Sequence, residues 1–188
     1  NAVRFLDEEI VEKYHKIIIK EVNIKTEKGQ EKYEKYLGQN HLNYFVLHYL
    51  YMRSFYADIS INAPTKVALD YYTNQTARYW TAFNIFGQGQ IALAQFRSGD
   101  QKVAKQIVNS LKENSISSDE LGMYWKAKVA GFYNYQAPVE TQALLIETFS
   151  EIENDTKTID NLKTWLLKNK QTNRWKTTKA TTEACYAL

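Results

Sequence analysis

The chain has 188 residues, of which 44% are hydrophobic and 14% aromatic, and it holds two prolines and seven glycines. A chain of this length buries roughly 70% of its unfolded surface, so one domain needs no disulfide or metal to fold. The 24 basic and 21 acidic residues are interspersed, without the basic stripe of nucleic-acid binding, and no stretch approaches the ~20 apolar residues of a membrane span.

The first predicted element is a helix with one wet face. Leu6, Ile10 and Tyr14 recur at helical spacing, with charged residues between them. The following stretch "KTEKGQEKYEKYLGQN" mixes charges of both signs around Gly29 and Gly38. This composition predicts a loop or a frayed, solvated segment.

Three further helices are expected up to residue 100. "HLNYFVLHYLYMRSFYA" is apolar on two faces, with Phe45 on one and Leu47 on the other, so it must be covered on both sides. Pro64 stands at a plausible first position of the next helix. "NIFGQGQIALAQF" is apolar and small on several faces and ends at "RSGD", where Gly99 can take the positive φ that closes a helix.

The sequence of the C-terminal half predicts helices with one solvent-exposed face that alternate with helices that are apolar all round. "QKVAKQIVNSLKENS" has one apolar stripe, which is typical of an outer helix. Ser117 and Glu120 stand at capping-box spacing and predict a helix start, and the aromatic run that follows predicts an irregular loop or short hairpin. Pro138 opens an apolar helix, "DTKTIDNLKTWLLKNK" an amphipathic one, and "TTKATTEACYAL" a third rich in small residues.

The sequence repeats a pair of helices at a period of about 40 to 50 residues. In each pair a helix with one solvent-exposed face is followed by one that is apolar all round, as stacked helical hairpins require. "ETQA" at Ala143 superposes on "TTEA" at Ala184 after a shift of about 41 residues. We therefore predict an all-α fold, in which residues 1–188 form a single partial α/α toroid of hairpins with inner and outer helices.

Linked motifs after residue 84 carry a family resemblance. They are "QGQIALA", "GMYWK", "QAPVETQALLIE", "TWLLKNKQTNRW" and "TTKATTEACYAL". In this order they resemble the thioester-domain toroid of bacterial alpha-2-macroglobulin family proteins. "QTNRW" replaces a glycine pair common in animal members, and the Cys-Gly-Glu-Gln thioester motif is absent.

The resemblance implies a thioester-domain-like fragment of a broad-range endopeptidase inhibitor that traps proteases, with no thioester, cofactor or metal of its own. Its partners would be the other domains of the full-length chain and, through that protein, the target proteases. The family is exported, so the periplasm or the cell surface is the expected location. The start at Asn1 and the end at Leu188 are interpreted as those of a piece cut from a longer polypeptide.

An enzyme is the alternative hypothesis. Glu140 and Glu183 begin two neighbouring predicted inner helices, so they can open onto one end of the ring as the carboxylate pair of a polysaccharide-degrading toroid. Acidic residues in a first helical turn also serve simply to complement the helix dipole. A plain helical-repeat scaffold is a third option.

Other reactive side chains have simpler interpretations. His41 and His48 lie seven residues apart without a third ligand, and Cys185 stands among small apolar residues where a thiol is normally a buried hydrophobe. Aromatic side chains suit interfaces. The sequence therefore predicts an interaction surface at Tyr124, Trp125, Tyr133 and Tyr135, with packing beneath the loop as the alternative.

Overall fold

The structure is a computed structural model that describes residues 2–19, 27–126, 137–172, 175 and 177–188. Within these ranges it contains nine α-helices, one 3₁₀ turn and one two-stranded β-hairpin, which confirms the all-α prediction. The chain divides into two compact units, Asn1–Tyr79 and Trp80–Leu188. The single partial toroid over 1–188 stays a prediction.

Four helices build the first unit: α1 Ala2–Ile19, α2 Glu27–Leu37, α3 Tyr44–Ser54 and α4 Ala63–Tyr79. α1 packs on α3 and α4, and its Ile10 is fully buried with Val46 and Leu47 of α3. Side chains cap the two later helices, since Asn43 accepts a hydrogen bond from the Val46 amide (3.1 Å) and Asn62 from the Thr65 amide (2.8 Å).

One expectation for this unit needs correction. The charged stretch predicted as a loop is the helix α2, in which the Gln30 amide donates to Glu34 one turn later (3.2 Å). Side-chain pairs at this spacing stabilise a solvated helix without a buried face. In α3 both apolar faces hold buried residues, Val46 and Tyr49 on the face of Phe45 and Leu47 on the other, which agrees with the expected cover on both sides, although Phe45 itself is 36% exposed.

The second unit contains the 3₁₀ turn, five helices and the hairpin. Their bounds are 3₁₀ Trp80–Ala82, α5 Ile85–Ser98, α6 Gln101–Glu113, β1 Ile116–Ser118, β2 Gly122–Tyr124, α7 Pro138–Ile152, α8 Thr156–Thr172 and α9 Thr178–Ala187. The predicted helix end at Gly99 is confirmed, with φ +101°. So is the helix start at Pro138.

Helix α7 forms the centre of this unit. It packs against α5, α6, α8 and α9, and 10 of its 15 residues are buried. Gly89 of α5 allows the close approach of α7, because an added Cβ would lie 3.1 Å from Leu145 Cδ2. The neighbouring α6 buries only one stripe, formed by Ala104, Ile107, Val108 and Leu111. The predicted contrast between a helix that is buried on most of its surface and one that is buried on a single face is confirmed for α7 and α6.

Two predictions in the second unit are wrong. The capping box at Ser117 and Glu120 does not start a helix, because Ser117 pairs with Met123 in the antiparallel hairpin β1–β2. The Ser118 hydroxyl accepts from the Glu120 amide in the connecting turn (3.3 Å). Helix α9 is not dry all round, since it buries Ala180 and Ala184 but leaves its other face exposed.

Candidate functional site

The predicted aromatic surface begins at the end of β2. Tyr124 is half-buried and stacks on Trp165 of α8, with ring centroids 5.9 Å apart. Trp125 is only 8% exposed, and its Nε1 donates to the Leu111 carbonyl (2.9 Å). Tyr133 and Tyr135 lie outside the described residues. An interaction surface on these four residues stays a prediction, and at Trp125 the structure shows the packed arrangement.

A cavity of about 890 Å³ lies within the second unit, next to Trp125. Its walls come from the 3₁₀ turn, the first turn of α5, the end of α6, the hairpin, the start of α7 and α8. Three indole rings line it, those of Trp80, Trp125 and Trp165, together with the phenyl rings of Phe83 and Phe86. The tryptophans come from three separate elements, so only the folded unit brings them together.

The polar groups of the cavity are mostly amides and hydroxyls. Gln142 of α7 is 2% exposed, and its Nε2 donates to the Met123 carbonyl (2.8 Å) and the Leu162 carbonyl (3.0 Å). Both amide hydrogens are then used, which leaves Oε1 as the acceptor on that side chain. Lys126 is the one charged residue among the described lining residues. Sequence reasoning missed this site, because Gln142 and Trp80 stand 62 residues apart with no shared motif.

Glu140 and Glu183 belong to the helix pair α7 and α9. Glu140 is 4% exposed, and the hydroxyl of Thr177 donates to its Oε1 (3.3 Å). Burial raises the pKa of Glu183, and the negative charges of Glu140 and Glu147 add to the rise, against the lowering effect of Lys179. Neither carboxylate is among the described residues that line the cavity.

The first unit contains a histidine beside a tyrosine cluster. His41 Nδ1 shares a hydrogen bond with the Tyr71 hydroxyl, and the Tyr36 ring lies 4.7 Å from the imidazole centroid. His41 Nε2 is buried without a partner in the part of the chain that the structure describes, and burial lowers the pKa of the ring. His48 is exposed, and its Nδ1 lies 2.6 Å from the Tyr44 carbonyl oxygen.

A buried ion pair joins α1 to α3. Arg53 Nε lies 3.2 Å from Asp7 Oδ1, with side chains 3% and 9% exposed respectively. Tyr49 donates to the same carboxylate oxygen (2.7 Å). Arg53 also donates through Nη2 to the Ile59 carbonyl (2.6 Å) and through Nη1 to the Tyr56 carbonyl. Every contact of this network is internal, which indicates a structural role.

The prediction that Cys185 is buried is wrong. The thiol is exposed, because the buried stripe of α9 passes through Ala180 and Ala184, and the next residue points about 100° further round the helix. No group of three histidine, cysteine, aspartate or glutamate side chains in the described ranges is placed to hold a metal ion. Among the described helices, none combines the length and the hydropathy of a membrane span.

Comparison with known proteins adds no relative. No family model, no curated protein and no solved structure matches the chain.

Proposed function

We propose that this chain is a non-catalytic structural and interaction portion of a bacterial peptidase inhibitor of the alpha-2-macroglobulin type. The observation that carries the proposal is helix α7, which is dry on most of its surface and is covered by α5, α6, α8 and α9. An inner helix of a partial α/α toroid needs this burial, and the same helix contains the "VETQALLIE" motif of the resemblance. The arrangement of α5 to α9 as part of a toroid belongs to the proposal.

In this proposal the second unit acts as a rigid body. A protease cleaves a bait segment elsewhere in the longer protein, and the domains then rearrange and enclose the protease. The second unit docks against the other domains in this rearrangement. Rigidity is supported by a close-packed helix pair, α5 and α7, in which the leucine side chains fill the space at Gly89. Export to the periplasm or the cell surface is part of the same proposal.

Protease protection tests the proposal directly. The full-length protein is incubated with a protease, and cleavage of a large protein substrate is compared with cleavage of a small chromogenic peptide. An enclosed protease loses most activity on the large substrate and keeps it on the small one. The variant Gly89→Leu, which cannot close α5 on α7, should lose this protection, while Gly99→Ala should retain it. Equal cleavage of both substrates with the unaltered protein contradicts an inhibitor.

One observation favours a second candidate, a polysaccharide-degrading enzyme. Burial raises the pKa of Glu183 and the charge of Glu140 adds to the rise, as expected for a general acid beside a carboxylate partner. The release of reducing ends from polysaccharides by the unaltered chain, abolished in both Glu140→Gln and Glu183→Gln, would support it. Absence of release from the folded chain would reject it. The position of the two carboxylates outside the large cavity favours the inhibitor.

A further inference from the structure

We propose that the aromatic cavity of the second unit binds a neutral oligosaccharide, held between the rings of Trp80 and Trp165 and hydrogen-bonded to Oε1 of Gln142. This site is separate from Glu140 and Glu183, and the inference does not rest on the inhibitor proposal.

The size and walls of the cavity suit a small ligand. Its volume of about 890 Å³ falls within the range of roughly 300–1,000 Å³ of sites that enclose small molecules. Trp80 and Trp165 are half-buried, so parts of both rings stay accessible. Trp125 forms part of the wall. Its one polar group, the Nε1–H, already donates to the Leu111 carbonyl, so the residue has no free donor to offer a ligand. The aromatic walls thus offer mainly apolar faces, on which the C–H face of a pyranose ring can stack.

The buried polar group selects for a hydrogen-bond donor. Gln142 is held by its two donated hydrogen bonds to Met123 and Leu162, so Oε1 is oriented by the protein before a ligand arrives. A sugar hydroxyl can donate to Oε1, a hydrogen bond that a purely apolar ligand cannot make.

Charged ligands find no buried counter-charge in the described lining. It holds no carboxylate, so a cation would be attracted by the faces of the aromatic rings alone. Lys126 is exposed, and one solvated ammonium group gives little affinity for a phosphate or carboxylate. A peptide in extended form is held by a row of main-chain groups at a strand edge, but Ile116 is the one residue of the short strand β1 in the lining.

Titration of the 188-residue chain with cellotetraose, maltotetraose and chitotetraose tests the site. Calorimetry gives the affinity, and tryptophan fluorescence reports on the cavity, since three of the chain's four tryptophans line it. We expect at least one tetrasaccharide to bind with a fluorescence change. Trp80→Leu and Trp165→Leu should each weaken binding by about tenfold, the loss of one stacked ring.

Two variants keep the test decisive. Trp165 also supports Tyr124, so Trp80→Leu decides the result if Trp165→Leu does not fold. Trp175→Leu is the matched control, because this tryptophan is outside the described lining, and it should leave the affinity unchanged. The proposal is overturned if none of the three sugars binds at millimolar concentration, if Trp80→Leu binds as well as the unaltered chain, or if the tripeptide Phe-Ala-Phe binds and the sugars do not.

Discussion

Gly122 of β2 lies directly on the backbone of α8, where an added Cβ would be 2.2 Å from the carbonyl oxygen of Asn161. Its φ of +76° is also one that L-residues rarely adopt. We expect Gly122→Ala to lower the free energy of unfolding of the second unit by ~3 kcal/mol, from overpacking and backbone strain together. Urea unfolding followed by tryptophan fluorescence measures it, because all four tryptophans lie in this unit.

Gly99 supplies the control for this prediction. Its φ is +101°, but no atom would lie within 4 Å of an added Cβ. Gly99→Ala should therefore cost only the backbone strain, about 1 kcal/mol. Equal losses in the two variants would show that contact with α8 contributes nothing at Gly122.

Removing one partner of the buried pair Asp7 and Arg53 should destabilise the first unit strongly. Asp7→Ala leaves the guanidinium group buried without its counter-ion, which typically costs about 3–5 kcal/mol. Hydrogen exchange of the amides in residues 44–79 measures the loss. Asp70→Ala is the control, because the exposed pair of Asp70 with Lys66 is worth less than about 0.5 kcal/mol. Similar hydrogen-exchange rates in Asp7→Ala and Asp70→Ala would contradict a large contribution of the buried pair to the stability of the first unit.

Acidification should weaken the first unit through His41. Burial holds the pKa of this ring below its ordinary value of 6.5, so between the two pKa values the unfolded chain binds more protons than the folded one. The stability due to neutral His41 is complete above pH 6.5 and declines as the pH falls below it. In the tautomer in which Nδ1 donates to Tyr71, whose hydroxyl donates to the Leu37 carbonyl, protonation also gives the buried Nε2 a hydrogen that has no acceptor among the described residues.

The comparison of His41→Gln with the unaltered chain at pH 7.5 and pH 5 measures this effect. Hydrogen exchange in the first unit should accelerate at pH 5, after correction for intrinsic rates, by more in the unaltered chain than in His41→Gln. His48→Gln, which replaces an exposed imidazole, should behave as the unaltered chain. An unchanged pH dependence in His41→Gln would contradict the prediction.

The raised pKa of Glu183 predicts the opposite pH dependence for the stability of the second unit. Its folded pKa lies above the ordinary value of 4.5 because the carboxylate is partly buried, so above pH 4.5 the folded chain binds more protons than the unfolded one. Its stability contribution is therefore lost as the pH rises through the raised pKa. Glu183→Gln should be more stable than the unaltered chain at pH 7.5, with no gain at pH 4.

Urea unfolding at both pH values, followed by tryptophan fluorescence, checks this prediction. Glu113→Gln, an exposed carboxylate on α6, is the control and should stay within about 0.5 kcal/mol of the unaltered chain. A gain in Glu183→Gln that is the same at pH 7.5 and pH 4 would mean that the ionisation of Glu183 is not responsible.

Local signals predicted the elements whose ends are marked by proline or glycine. Pro138 opens α7 and Gly99 closes α5, because backbone geometry at these residues depends little on the rest of the fold. The hairpin was mistaken for a helix start because serine hydroxyls accept backbone hydrogen bonds in turns as readily as at helix caps. Ser118 does so here.

Burial of a helix face depends on neighbours that a local pattern does not show. Ala180, Ala184 and Cys185 have similar small side chains, yet α7 covers one stripe of α9 and leaves Cys185 exposed. The cavity was beyond prediction for the same reason. Trp80, Trp125 and Trp165 become neighbours only through the packing of three separate elements.

The bare position at Gly89 also fixes how α5 and α7 are aligned along their lengths. The tips of Leu144 and Leu145 occupy the space that an added Cβ would contest, at 3.3 and 3.1 Å. A slide of α7 by one turn, about 5.4 Å, would place these leucines against the buried side chain of Phe86 or Leu93. Longitudinal slippage of the two helices is thus opposed by shape at Gly89, and the ion pairs of Arg97 on α5 with Glu147 (2.6 Å) and Glu151 on α7 hold the same alignment by charge.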